Sequence, residues 1–104
     1  MVINLIYSKK MYVSPNIGNI NEVKEILNSK TALYNIYIIC ISKNNKNLFE
    51  IIHSTEIFKS IYRNKKFTIV GLANGKKDSF NLLVNIIEDF SKSGKNFCQI
   101  SEFF

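Results

Sequence analysis

Apolar and polar residues alternate loosely over Val2–Tyr7, which predicts a strand. Ser8, Lys9 and Lys10 interrupt it. Met11–Val13 either continues that strand after a bulge or forms a second short one, and Ser14 and Pro15 end it. A helix is predicted next. Asn19 is placed as its N-cap, Glu22 follows three residues later as in a capping box, and Ile20, Val23, Ile26 and Leu27 fall on one face. Asn28–Thr31 closes it. Tyr34–Ile41 carries the strongest strand signal. Its apolar residues run without alternation, the mark of a strand covered on both faces near a sheet centre.

Ser42–Asn47 reads as a polar turn and Leu48–His53 as the returning strand of an antiparallel hairpin. Thr55–Tyr62, with Ile57, Phe58 and Ile61 at helical spacing, reads as a short helical connector. Phe67–Ala73 is another nearly all-apolar strand. A second long helix starts near Lys76, capped by Asn74 or Gly75, with Asp78 in its first turn. Its buried stripe is expected at Phe80, Leu83, Val84, Ile87 and Phe90. Ser91–Lys95 is a loop stopped at Gly94, and Asn96–Phe104 is a candidate edge strand. The order is β-α-β-β-(short helix)-β-α-(β).

This pattern predicts an α+β fold in one domain spanning residues 1–104. The expected architecture is a two-layer sandwich. A mostly antiparallel sheet of four to five strands carries the two main helices on one face. The other face then needs another cover: the Thr55–Tyr62 connector, the tail with Phe97, Phe103 and Phe104, or a second copy. A homodimer is therefore expected, pairing by its helix-free sheet face or by the aromatic tail with Phe97, Phe103 and Phe104.

Composition changes this picture little. Ile, Asn and Lys occur 17, 14 and 13 times, which is 44 of 104 positions. All three have A/T-rich codons, so their abundance reflects a low-GC bacterial genome before it reflects function. The longest apolar run, Ile36–Ile41, is far short of the roughly 18 residues that span a membrane. The N-terminus has no signal-peptide pattern, and Cys40 and Cys98 lie far apart without a CxxC. A cytoplasmic protein with reduced thiols is the expectation.

Charge is uneven. Lys59, Arg63, Lys65, Lys66, Lys76 and Lys77 fall between positions 59 and 77 with no acid among them. The other residues carry eight positive and eight negative charges and cancel, so the whole excess of +6 belongs to this stretch. It is read either as an anion-attracting surface or as solvated lysines flanking a strand. Arg63 is the single arginine. Its fork suits a carboxylate such as Glu50 or Glu56, or an external anion.

The segments KMYVS at 10–14, YIICIS at 37–42, NLFEIIHS at 47–54, IYRNKK at 61–66 and IVGLANGKKDSFNLL at 69–83 carry a resemblance. In that order and spacing the chain resembles a family of small uncharacterised proteins from low-GC clostridia-like bacteria. In that family a Tyr-Arg pair, here Tyr62 and Arg63, precedes a strand ending in Gly-Leu/Ile-Ala, here Gly71, Leu72 and Ala73. The following helix is usually more acidic at its start, where this chain has Lys76 and Lys77. The resemblance implies the fold and no activity.

Candidate chemistry is thin. Gly71–Lys77 (GLANGKK) has the strand-loop-helix setting of a phosphate-binding loop. Only three residues separate its glycines, however, and Lys77 stands where a Walker motif needs Ser or Thr for Mg²⁺. What remains is a generic anion site at a helix start. His53, the single histidine, has no HxH or CxxC partner spacing for a metal. In the predicted hairpin, pairs summing to 90 would put Cys40 and His53 on opposite faces, and pairs summing to 91 on one face. No acid stands in triad order with His53, and the adjacent Glu88 and Asp89 diverge on a helix. Tyr34, Tyr37, Phe49 and Tyr62 offer stacking surfaces, but no strand carries the basic-Gly-aromatic string of RNA-recognition domains.

The sequence thus reads as a non-enzymatic binding domain with no cofactor, no metal and no catalytic residue. An anion-binding surface is expected at Tyr62, Arg63, Lys66, Gly75, Lys76 and Lys77. The alternatives are a structural homodimer without a small-molecule ligand and, more weakly, a nucleic-acid-binding protein.

Overall fold

The computed structural model describes residues 4–29, 35–41, 49–57 and 66–94, with the side chains of Asn4, Lys66 and Phe67 excepted. Among these residues seven elements follow in order: β1 (Asn4–Val13), α1 (Ile20–Asn28), β2 (Ile36–Ile41), β3 (Phe49–His53), α2 (Ser54–Ile57), β4 (Lys66–Asn74) and α3 (Lys76–Lys92). Among the described residues the strands form one sheet in the order β1-β4-β2-β3. The tail at 96–104, offered above as a fifth strand, lies outside the described residues, as do Phe58 and Ile61 of the connector.

The hairpin is as expected. β2 and β3 pair antiparallel, with Tyr37 opposite His53 and Cys40 opposite Glu50. β2 also pairs antiparallel with β4. β1, however, pairs parallel with β4, from Asn4 opposite Lys66 to Val13 opposite Leu72. The sheet is therefore mixed and not mostly antiparallel. β1 runs through Ser8–Lys10 as a single strand. Its register slips between Tyr7 and Tyr12, where five steps on β1 match two on β4. That is a bulge of three residues.

The expectation of two helices on one face does not hold. Side chains along β2 alternate between two cores. Ile36, Ile38 and Cys40 join Val23 and Leu27 of α1 and Ile57 of α2. Ile39 joins Leu82 and Ile86 of α3. So α1 and α2 cover one face of the sheet and α3 the other. This is what makes an uninterrupted apolar strand stable: both sides of Ile38–Cys40 are covered, and all three residues are almost fully buried. Among the described residues both faces of the sheet carry a helix, so the helix-free face expected from the sequence is not present there.

α1 starts as its sequence indicates. The Asn19 side chain accepts from the backbone N–H groups of Asn21 (3.1 Å) and Glu22 (3.3 Å). α3 differs in rotation. Its buried stripe is Ser79, Leu82, Ile86 and Phe90, with Leu83 half-buried. Phe80, Val84 and Ile87, expected in the core, are 51%, 51% and 42% exposed. Two contacts set that rotation. A Cβ at Gly71 of β4 would lie 3.2–3.3 Å from Leu82, Ile39 and Ile86, so the missing side chain lets Leu82 and Ile86 settle against the strand. On the opposite flank of α3, the Tyr12 hydroxyl donates to Asp89 Oδ2 at 2.7 Å and ties the helix to β1.

Candidate functional site at the carboxyl ends of β1 and β4

β1 and β4 are parallel neighbours, so both end at one edge of the sheet. From there the chain leaves in opposite directions. β1 leads through 14–19 to α1 on one face, and β4 leads through Gly75 to α3 on the other. In open α/β sheets a divergence of this kind leaves a crevice beyond the strand ends, where ligands commonly bind.

Polar side chains stitch the two exits together. The Ser14 N–H donates to the Leu72 carbonyl at 3.1 Å, and the Asn74 N–H donates to Ser14 Oγ at 3.0 Å. Ser14 Oγ donates to Asn16 Oδ1 at 2.9 Å. Asn16 and Asn74 exchange side-chain donors for each other's backbone carbonyls at 3.3 and 3.1 Å. The Gly75 N–H donates to the Asn35 carbonyl at 2.7 Å. Ser14 is 3% exposed and forms the buried end of this network, whereas Asn16 is exposed and its exchange with Asn74 lies at the surface. Sequence reasoning took Ser14 and Asn74 only as turn and cap residues. The signal was there in SPN at 14–16 and ANG at 73–75, because short polar side chains at a turn bond readily to nearby backbone.

Gly75 has φ +101°, a conformation that favours glycine, and its carbonyl accepts from the Ser79 N–H at 3.0 Å to open α3. Having no side chain, it provides no cap. The first-turn N–H groups of Lys76, Lys77 and Asp78 have no acceptor within the helix. Lys76 and Lys77 are both exposed beside them. The start of α1 differs, because Asn19 already occupies its donors and Glu22 adds a negative charge.

Next to the network, on the α1 face, an open cleft of about 290 Å³ has an apolar wall of Ile17, Val23 and Ile26 and a rim of Asn19, Glu22 and Asn74. Its charged lining residue is an acid, and neither Lys76 nor Lys77 lines it. The cleft and the basic helix start are separate features.

Four of the six residues of the expected anion surface are described, and among these Lys66 stands apart from the other three. Gly75, Lys76 and Lys77 stand at the end of β4, whereas Lys66 begins it. Eight strand steps, roughly 26 Å at about 3.3 Å each, separate Lys66 from Asn74. Tyr62 and Arg63 lie outside the described residues. Gly71 is not a loop glycine at all but an interior residue of β4 packed against α3.

The hairpin register sums to 90, so Cys40 faces the α1 core and His53 the opposite side. His53 Nδ1 accepts from the Thr55 N–H at 3.1 Å and meets the Thr55 hydroxyl at 2.7 Å, which holds the first turn of α2. Its ring meets Tyr37 edge-on with centroids 4.8 Å apart. Among the described residues no group of three or more His, Cys, Asp or Glu side chains is placed to hold a metal. No described helix is long and apolar enough to cross a membrane.

Three of the described groups titrate abnormally, and burial raises the Tyr7 hydroxyl above its ordinary value. Burial pushes the Cys40 thiol up to about 12, and the nearby Glu50 charge adds to the shift. Burial, followed by the hydrogen bond to Asp89 and its charge, pushes the Tyr12 hydroxyl up to about 12. Set against protein-family models, curated proteins and solved structures, the chain matches none.

Proposed function

We propose that the chain is a non-enzymatic binding domain that takes up small anions, of phosphate or carboxylate chemistry, at the start of α3. One observation carries the reading. Gly75 opens the helix without a capping side chain, which leaves the first-turn N–H groups and the exposed Lys76 and Lys77 at the edge where the β1 and β4 exits diverge. Asp78 in the same turn opposes a multiply charged ligand, so weak, salt-sensitive binding is expected. The same reading places the protein in the cytoplasm, and the free, buried Cys40 supports that. The resemblance to small uncharacterised proteins of low-GC bacteria stays part of the proposal.

Titration of inorganic phosphate into the isotope-labelled protein tests it. Amide resonances of Gly75 to Asp78 should shift at low ionic strength, and the shifts should shrink in the Lys76→Ala/Lys77→Ala variant. Unmoved resonances at low salt would remove the reading. Shifts spread over all surface lysines would reduce it to general charge attraction.

A further inference from the structure

Phe80, Val84 and Ile87 follow one another at intervals of four and three, so they form one stripe along α3. Each is 42–51% exposed. Asp89, bonded to Tyr12 of β1, marks the flank turned toward that edge. At 100° per residue the stripe lies on the other flank, above the β2–β3 side of the sheet. There Ile41 and Ile51 are only partly buried.

Charges beside the stripe have a definite order. Lys77 and Glu88 are eleven residues apart, about three turns, so they share one flank. Both are exposed. Lys76 and Lys77 against Asp78 leave +1 in the first turn, and Glu88 and Asp89 against Lys92 leave −1 near the last. Both signs oppose the helix dipole, which favours negative charge at the start and positive charge at the end. An isolated α3 therefore carries unfavourable charge at both ends.

We infer that α3 is a self-association surface, taking a second copy of this chain antiparallel across a two-fold axis near Val84. The stripe is self-complementary in that arrangement. Its midpoint falls between residues 83 and 84, so Phe80 meets the partner's Ile87 and Val84 lies beside the partner's Val84. Antiparallel helices bring like flanks together. Lys77 then comes within two residues, about 3 Å along the axis, of the partner's Glu88, and the contact occurs twice. A parallel pair about a two-fold would put the two Lys77–Glu88 flanks on opposite sides of the seam and form neither contact. The antiparallel pair also lays each helix start along its partner's end, which relieves the misplaced charge. The stripe is narrower than the roughly 800 Å² per partner of a stable interface, so the association is weak and concentration-dependent.

Sedimentation velocity over about 10–500 µM tests the inference, with far-UV circular dichroism as a folding control. The unaltered protein should dimerise within that range. Val84→Glu sets two carboxylates beside each other at the axis and should weaken association at least about tenfold while leaving the fold intact. Lys77→Glu and Glu88→Lys should each weaken it by about threefold or more, and the double reversal should restore it. A monomer throughout the range overturns the inference, as does a dimer indifferent to Val84→Glu. Failure of the double reversal to rescue overturns the antiparallel arrangement. Val84→Glu keeps both lysines, so phosphate binding in that variant reports on the anion site independently of dimerisation.

Discussion

Ile86 and Ile87 are adjacent and chemically identical, yet the structure gives them opposite environments. Ile86 is fully buried, and its Cδ1 lies 3.3 Å from where a Gly71 Cβ would stand. Ile87 is 42% exposed. Helical periodicity alone favoured burying Ile87. Truncating each to alanine therefore tests the rotation of α3. Ile86→Ala loses the transfer free energy of a fully buried side chain and leaves a cavity between helix and sheet, about 2–5 kcal/mol together. Alanine's better helix propensity offsets only about 0.4 kcal/mol. We expect a net loss of about 3 kcal/mol. Ile87→Ala leaves little cavity and receives the same offset, so its cost should stay below about 1 kcal/mol. At about 4–8 °C per kcal/mol for a domain of this size, Ile86→Ala should lower Tm by at least about 12 °C. Urea unfolding at low micromolar concentration, where self-association does not contribute, should move the midpoint with an unchanged m value. Equal costs at the two positions, or a larger one at Ile87, would refute the rotation described for α3 and with it the exposed stripe.

Three further outcomes are expected. Ser14→Ala strands the Asn74 N–H and frees Asn16, and should cost about 1–3 kcal/mol in denaturant unfolding; a neutral result would mean that the network does not hold the two exits together. Cys40, 1% exposed with its thiol pushed up to about 12, should resist alkylation at pH 8 in the folded protein and react once urea unfolds it. Tyr12 ionises near 10 when unfolded and about 12 when folded, so its contribution to stability is complete below pH 10 and is lost as pH rises from 10 to 12. Absorbance titration should show one fewer late-ionising tyrosine in Tyr12→Phe, with Tyr7 still raised by burial.

Much of the element order was legible because it depends on each segment's own periodicity. The Asn19 cap, the Ile36–Ile41 strand, the hairpin with Phe49–His53 and the helix opening at Gly75 are all local events. The uninterrupted apolar run Ile36–Ile41 even indicated cover on two sides. Where that cover comes from was a tertiary matter. Nothing in Asn4–Val13 announces that it will lie parallel to a strand some sixty residues later, since parallel pairing leaves no turn in the sequence to mark it. That pairing sends the two exits to opposite faces and makes the crevice with its Ser14, Asn16 and Asn74 network. α3 carries two apolar stripes of similar period, and only the close approach at Gly71 and the Tyr12–Asp89 bond select the buried one. The charge run behaves the same way. Lys66 and Lys76 look like one cluster in sequence, but the intervening residues form an extended strand, and an extended strand carries its two ends to opposite edges of the sheet.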